Sequence, residues 1–245
     1  ALLALGFPVF LILLVTSTIL LLFFMDVPLV QMHITMFGSV DKFALMAVPF
    51  FIFAGELMGM GGISQRIIDW VLSVIGGMRG SLPLTTVGTC TIFGAISGSG
   101  PATTAAVGML MIPAMVRQGY GAGYAASVTA AAGGLGIIIP PSIPMILYGV
   151  MSGSSIVELF VAGIIPGVLG GLMMMFVAYL LARRHNFPTE QMFKLTRVWE
   201  TFKEAIWTLS LPLIILGGIF GGWVTATEGA GLAVVAAVFI GGVVY

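Results

Sequence analysis

The run between Arg79 and Arg117 limits the possible folds most, because its 37 residues include no charged side chain. A single α-helix over 80–116 would be about 55 Å long, whereas the hydrocarbon core of a bilayer is about 30 Å thick. Two complete crossings need about 40 residues and a turn. The middle of the run, AISGSGPATTAAVG at 95–108, is also too polar for an ordinary membrane helix. The pattern therefore predicts a re-entrant hairpin, whose legs enter and leave on the same side, with its tip at 97–101.

The composition indicates that the whole chain lies in a bilayer. Only 7% of its 245 residues are charged and 59% are hydrophobic, whereas about a quarter of the residues in soluble domains are charged. The net charge is zero, so the charge balance gives no sign of a nucleic-acid partner. The single cysteine, Cys90, excludes an internal disulfide. We therefore predict an all-α, multi-pass membrane protein.

A second uncharged run, 118–157, is interrupted in a different way. Its segment GGLGIIIPPSIP at 133–144 contains prolines, which cannot continue a regular helix, after several glycines that weaken one. We predict a broken helix here. One half runs from about Gly121 to Leu135, an unwound link follows, and the second half starts at Ser142.

Charged residues divide the rest of the chain into segments that can be compared with the ~20 residues of one helical crossing. Two stretches, 63–79 and 193–207, have the polar and apolar faces of helices that lie in the membrane interface. Basic residues around the second stretch favour the cytoplasmic side. The other predicted segments are crossings at 1–25, at 42–60 with a kink at Pro49, at 159–182 and in the runs 205–222 and 229–245, and a connector at 26–42.

The inventory of side chains argues against an enzyme. No histidine lies in a predicted spanning segment, so an intramembrane serine protease would have no base, and Asp26, Asp41 and Asp69 all lie at segment edges. Glu228 is the one acid inside an apolar region, where an ionisable residue is a candidate for function. Thr225 and Glu228 also have the spacing of a capping box, and we favour that role.

The two interruptions indicate transport instead. Backbone that is neither helical nor paired is costly in lipid and survives where it lines a cavity or faces an ion. Broken helices expose carbonyl groups at one half-helix end and amides at the other, which suit Na⁺ and anions respectively. The alternative is that the small residues only allow close helix packing. The neutral oxygens that the hairpin tip offers to an alkali cation belong to Ser97, Gly98, Ser99, Gly100, Thr103 and Thr104.

Four ordered motifs resemble one known family. They are GAISGSGPATTAAVGMLMIPAMVRQGY at 94–120, GGLGIIIPPSIPMILYGV at 133–150, SIVELFVAGIIPG at 155–167 and TATEGAG at 225–231. Together they are similar to the large membrane subunit of tripartite ATP-independent periplasmic (TRAP) transporters, also called the DctM or M subunit. The resemblance extends over essentially the whole chain.

The resemblance implies an elevator-type, Na⁺-coupled importer of small organic acids, such as C4-dicarboxylates or sialic-acid-like carboxylates, in the bacterial inner membrane. It also implies two partners, a small membrane subunit of the Q type and a periplasmic substrate-binding protein. The chain would supply the first of two inverted repeats.

The same resemblance implies a division of the chain into parts. These are scaffold transmembrane helices at 1–60, an interfacial arm helix at 61–80, a transport region at 81–182, a cytoplasmic interfacial arm helix at 183–207 and the start of the second repeat at 208–245. The transport region would comprise the re-entrant hairpin 81–117, the broken helix 121–151 and a transmembrane helix 156–182.

The resemblance also assigns site residues by position. The implied sodium site consists of Ser97, Gly98, Ser99, Gly136 and Pro140. The residues implied nearest the substrate are Thr103, Thr104, Pro141 and Ser142. Some relatives have a serine and an aspartate where this chain has Gly100 and Thr103, so the ion here would depend more on backbone carbonyl groups.

Two other functions fit the same sequence pattern. A stand-alone Na⁺ symporter for divalent anions would share this architecture but would need no binding protein. A non-transporting scaffold subunit would use its small residues for packing alone.

Overall fold

A computed structural model describes residues 6–25, 28–185, 187, 189 and 193–244. All regular elements in these ranges are helical, which confirms the all-α prediction. The α-helices are α1 Val9–Phe24, α2 Leu29–Val40, α3 Ala47–Met60, α4 Ile63–Ile75, α5 Ser81–Ser97, α6 Gly100–Arg117, α7 Ala122–Gly133, α8 Ile143–Ser152, α9 Ile156–Arg184, α10 Leu195–Phe220 and α11 Ala226–Phe239. Short 3₁₀ segments at Phe43–Met46 and Gly134–Ile137 and a π-helical turn at Ile240–Val244 complete the described elements.

The chain divides into two compact units, 1–42 and 43–245. In the first unit the predicted connector at 26–42 is wrong, because helix α2 occupies most of it. Pro28 directly precedes this helix, and its ring fixes its φ angle at −65°. The polar side chains of Thr35 and Ser39 are accommodated because each donates a hydrogen bond to the carbonyl group four residues earlier. Asp26 and residues 1–5 of the predicted first crossing lie outside the described residues.

Helix α3 begins the second unit and ends at Met60, as predicted. The kink predicted at Pro49 stays a prediction. Pro49 is the third residue of α3, so it lies in the first turn, where a backbone N–H has no partner within the helix and its absence breaks no bond. The 3₁₀ segment Phe43–Met46 leads directly into this turn.

Helix α10 joins two segments that were predicted to be separate. The expected interfacial helix 193–207 and the apolar run 205–222 form one continuous helix of 26 residues. Residues 195–211 include neither glycine nor proline, so the change from charged to apolar side chains after Glu204 alters the surroundings of the helix but not its backbone. The predicted boundary between 207 and 208 therefore falls inside a single element.

The predicted hairpin and broken helix are both present. Helices α5 and α6 are the legs of the hairpin, and α7, the 3₁₀ segment Gly134–Ile137 and α8 form the broken helix. Helix α5 lies at the centre of this unit, where nearly all of its residues are buried and it packs against α4, α6, α7 and α9. The hairpin leg thus holds its tip inside the protein. Its entry and exit on one side of a membrane stay a prediction.

Three helical segments in the described ranges are long and apolar enough to cross a membrane. They are Phe43–Met60, Ile156–Arg184 and Leu195–Phe220. The shorter apolar helices include α1, α5 and α8. Helix α5 of the hairpin and helix α8 of the broken helix are each too short to span about 30 Å alone.

Candidate functional site

The hairpin tip consists of a two-residue turn. Helix α5 ends at Ser97 because Gly98 adopts a left-handed conformation, with φ of +62°, and its amide donates to the Gly94 carbonyl oxygen at 3.0 Å. Ser99 then caps α6, where its hydroxyl accepts the Ala102 amide at 3.4 Å. A turn this short brings the C-terminal end of one leg next to the N-terminal end of the other.

Three oxygen atoms of the tip form a cluster. The hydroxyl oxygens of Ser97 and Thr103 are 2.9 Å apart, and the Thr103 hydroxyl donates to the Ser99 carbonyl oxygen at 2.8 Å. The Ser97 hydroxyl lies 3.4 Å from the same carbonyl oxygen. Ser97 and Thr103 are fully buried. Thr103, which the resemblance implied beside the substrate, therefore lies with the residues implied for sodium.

The second half of the broken helix begins with the same cap as the hairpin leg. Ser142 accepts the Met145 amide at 3.4 Å, as Ser99 accepts the Ala102 amide, and the backbone φ angles of the two serines are −131° and −130°. A proline occupies the second helical position in both helices. The repeated pattern Ser-x-Pro, at 99–101 and 142–144, is a sequence signal that could have revealed this equivalence.

The tip contacts the break through backbone groups. The Ile143 amide, the first of α8, donates to the Gly98 carbonyl oxygen at 3.0 Å. A methyl group on Gly98 would lie 2.7 Å from the Pro141 carbonyl oxygen, and one on Gly136 would lie 2.7 Å from the Thr103 hydroxyl oxygen. These contacts bring Ser97, Gly98, Ser99, Thr103, Gly136, Pro141 and Ser142 together.

The remaining two residues named by the resemblance lie beside this group. The Thr104 hydroxyl donates to the Gly100 carbonyl oxygen at 2.9 Å and faces Gly133, one turn from Gly136, where Thr103 lies. Pro140 is buried and precedes Pro141 through a cis peptide bond. Sequence reasoning missed Ile143, whose amide binds the tip, because an apolar side chain gives no sign of the role of its backbone.

The chemistry of this site is that of neutral oxygens and helix ends. Among the described residues, no three His, Cys, Asp or Glu side chains come together as metal ligands would. The last carbonyl groups of α5 point toward the tip with the negative end of its dipole, and the first amides of α6 and α8 contribute positive ends. Hydroxyl and carbonyl oxygens beside a helix C-terminus suit a monovalent cation, and paired helix N-termini suit an anionic group.

Glu228 lies elsewhere and has a structural partner. Its carboxylate accepts the Thr225 amide at 2.7 Å, and the Thr225 hydroxyl accepts the Glu228 amide at 3.3 Å. These reciprocal bonds form the complete capping box at the start of α11. The predicted capping role is confirmed.

Comparison with known proteins gives a match over the whole chain. The family described as "Tripartite ATP-independent periplasmic transporter, DctM component" matches residues 1–245. The isethionate TRAP transporter permease protein DctMQ of Oleidesulfovibrio alaskensis is 46% identical over 209 residues, 84% of this chain and 32% of that protein. The C4-dicarboxylate TRAP transporter large permease protein DctM of Vibrio cholerae is 40% identical over 241 residues, 98% of this chain and 53% of that protein.

A third relative is similar to a comparable extent. The sialic acid TRAP transporter permease protein SiaT of Haemophilus influenzae is 39% identical over 207 residues, 84% of this chain and 34% of that protein. The chain thus spans between about a third and about half of the length of these three relatives.

Proposed function

We propose that this chain, which belongs to the DctM component family of tripartite ATP-independent periplasmic transporters, is part of the transmembrane permease subunit of a Na⁺-coupled importer of small organic acids. Membership of the family confirms the resemblance predicted from the four sequence motifs. The ion, the substrate and the partners below belong to the proposal.

The observation that supports the sodium site is the buried oxygen cluster of the hairpin tip. Ser97, Thr103 and the Ser99 carbonyl group place three neutral oxygens within 3.4 Å of one another at the C-terminal end of α5. The backbone of Gly136 lies directly against them, because a methyl group there would lie 2.7 Å from the Thr103 hydroxyl oxygen. Na⁺ would bind at this cluster and hold the tip against the broken helix. The Gly98 carbonyl group has two lone pairs, so its bond from Ile143 leaves one for the ion.

The substrate would bind beside the ion with its acidic group toward the helix N-termini. Helices α6 and α8 begin at equivalent serine caps, and the positive ends of their dipoles favour negative charge. Pro141, Ser142 and Thr104 lie around this point, whereas Thr103 is committed to the oxygen cluster. The relatives named above carry isethionate, C4-dicarboxylate and sialic acid in their names, and these are organic acids.

The permease would work in the bacterial inner membrane with a small membrane subunit and a periplasmic binding protein. The name DctMQ of one relative is consistent with a Q-type small subunit. The hairpin and broken helix would shift together across the membrane as the moving part of an elevator. Two interfacial stretches, α4 and the first turns of α10, would connect this moving part to the scaffold helices.

The sodium site is tested by replacing one threonine at a time with its isostere valine. We expect Thr103→Val in the full-length protein to raise the Na⁺ concentration for half-maximal uptake by about tenfold or more, since loss of one buried polar partner costs on the order of 1–3 kcal/mol. Thr103→Ser should keep the Na⁺ dependence near that of the unaltered protein. Uptake is measured in proteoliposomes that contain the permease, with binding protein outside.

Thr104→Val is the matched control, because its hydroxyl lies outside the oxygen cluster. It should leave the Na⁺ dependence unchanged, and a change in substrate dependence would agree with its place near the acid. Equal shifts in Na⁺ dependence for both valine variants would contradict the proposed site. Uptake that continues without any binding protein would instead identify a stand-alone symporter.

A further inference from the structure

A groove between α4 and α10 lies outside the transport site. Its walls are Trp70 from α4 and Leu195, Val198, Trp199 and Phe202 from α10, and its volume is about 490 Å³. Every lining side chain is apolar, and the exposed fractions of Leu195 and Trp199 are 74% and 58%. The groove is therefore an open apolar surface at the junction of two packed helices.

The aromatic side chains of the groove hold one another in place. The ring centroids of Trp70 and Phe202 are 6.0 Å apart, and those of Trp199 and Phe202 are 5.9 Å apart. Beneath them the hydroxyl oxygens of Ser73 and Thr201, on α4 and α10, are 2.9 Å apart. The groove thus has preformed walls with a polar tie between the two helices.

Positive charge on α10 flanks the groove, while the acids of α10 lie on the far side of that helix. The Lys203 ammonium group lies 5.4 Å from the centre of the Trp199 ring, so the ring holds the charge at the groove edge. At about 100° per residue, Lys203 and Lys194 lie roughly 90° to either side of the groove, and Glu200, Glu204 and Arg197 lie roughly 150° or more away. On α4, Arg66 lies one turn before Trp70. Asp69 lies one turn before Ser73, on the side of α4 that faces α10, and accepts a hydrogen bond from Gln65 at 2.9 Å.

The sequence of α10 places the groove at the depth of lipid head groups. Charged residues of this helix end at Glu204, and the following residues to Phe220 include none. That uncharged part is about 24 Å long, which fits inside the ~30 Å hydrocarbon core. Trp199 and Trp207 lie on either side of Glu204, where the charged residues end. Tryptophan is enriched at the membrane–water interface of membrane proteins.

We propose that the groove binds one anionic phospholipid, with an acyl chain against Trp70, Trp199 and Phe202 and the phosphate beside Lys203. An open apolar groove at interfacial depth suits an acyl chain, and a lysine held at its edge by the Trp199 ring favours an anionic head group. The bound lipid would fill the junction between the two interfacial helices. This inference goes beyond the proposed transport function and requires neither its ion nor its substrate.

Quenching of tryptophan fluorescence by brominated lipids tests the proposal. The full-length protein is prepared with every tryptophan except Trp70 and Trp199 replaced by phenylalanine, and is reconstituted in phosphatidylcholine with increasing fractions of dibrominated phosphatidylglycerol or dibrominated phosphatidylcholine. We expect the anionic lipid to associate with the two tryptophans about fivefold more strongly, the order expected for one lysine at a membrane surface.

Two charge variants locate the source of that preference. Lys203→Gln should reduce the preference to about one, whereas Lys203→Arg should keep it. Arg197→Gln removes one positive charge from the opposite side of the same helix and should leave the preference unchanged. Size-exclusion chromatography of each variant checks that it is folded.

The remaining outcomes would overturn the proposal. Equal losses of preference in Lys203→Gln and Arg197→Gln would show a general effect of surface charge without a lipid site. Equal quenching by both lipids in the unaltered Lys203 protein would show that the groove does not select an anionic head group. Absence of quenching by either lipid would show that a protein surface covers the groove instead.

Discussion

At the scale of single residues, the hairpin tip depends on Gly98. Its φ of +62° belongs to the left-handed region that other L-residues adopt at a cost of about 1–2 kcal/mol. The same residue also touches the break, because a methyl group would lie 2.7 Å from the Pro141 carbonyl oxygen. Gly98 is therefore required both for the turn and for the contact between the two interrupted helices.

We expect Gly98→Ala to lower the free energy of unfolding by more than the cost of its backbone conformation alone. Displacing Pro141 would also weaken the bond from the Ile143 amide to residue 98. Gly153→Ala is the control, since Gly153 has φ of +72° and no atom within 4 Å of the added methyl group. Thermal unfolding in detergent should show a larger loss for Gly98→Ala. Similar losses would mean that the contact with Pro141 contributes nothing.

At the scale of helices, the hairpin lies against the broken helix through a close backbone contact. A methyl group on Gly94 would lie 2.7 Å from the Cα atom of Gly136 and 3.1 Å from its nitrogen. Rigid backbone cannot move aside as a flexible side chain can. The position of the oxygen cluster relative to Gly136 therefore depends on how closely α5 approaches the 3₁₀ segment.

Gly94→Ala should separate these two elements. We expect the free energy of unfolding to fall by roughly 1–3 kcal/mol, the usual cost of overpacking a buried contact. We also expect a higher Na⁺ concentration for half-maximal uptake. Gly134→Ala is the control, because its methyl group would meet no atom within 4 Å, and it should change stability by no more than about 0.5 kcal/mol. If Gly94→Ala behaves like Gly134→Ala in both measurements, the close contact does not position the site.

At the scale of the whole molecule, α10 combines two environments in one continuous helix. Its first turns pack on α4 through the Ser73–Thr201 contact, and its later turns bury Leu211, Ile215 and Ile219. Movement of the interfacial part would therefore be transmitted to the apolar part as far as Leu211, since residues 195–211 are helical and contain neither glycine nor proline. Separate helices joined by a loop would not couple the two in this way.

Cysteine cross-linking tests this arrangement in the folded protein. We expect Ser73→Cys combined with Thr201→Cys to form a disulfide readily with a mild oxidant, because the two hydroxyl oxygens are 2.9 Å apart. Ser73→Cys with Lys203→Cys should not, since residue 203 lies roughly 160° around α10 from residue 201. Cleavage between the two cysteines followed by gel electrophoresis detects the link. Equal yields in both pairs would argue against the described packing of α10 on α4.

Local signals predicted most of the elements and their interruptions. The hairpin legs, the tip at 97–101, the break before Ser142 and the cap at Thr225 all follow from glycine, proline, serine and charge positions, whose effects extend over a few residues. Errors arose where polarity was taken to indicate backbone structure. Residues 29–40 are helical despite their mixed composition, and α10 continues through the change from charged to apolar side chains.

The sequence by itself thus determined that the chain is helical, lies in a membrane and is interrupted at two places. Breaks depend on backbone preferences of individual residues, and membrane insertion depends on summed hydrophobicity, so both can be read without tertiary contacts. The tertiary structure decided how the two interruptions meet. It joined Gly98 to Ile143, across segments more than 40 residues apart, and placed Gly136 against the Thr103 hydroxyl group. Such contacts depend on how helices approach one another, which no local pattern specifies.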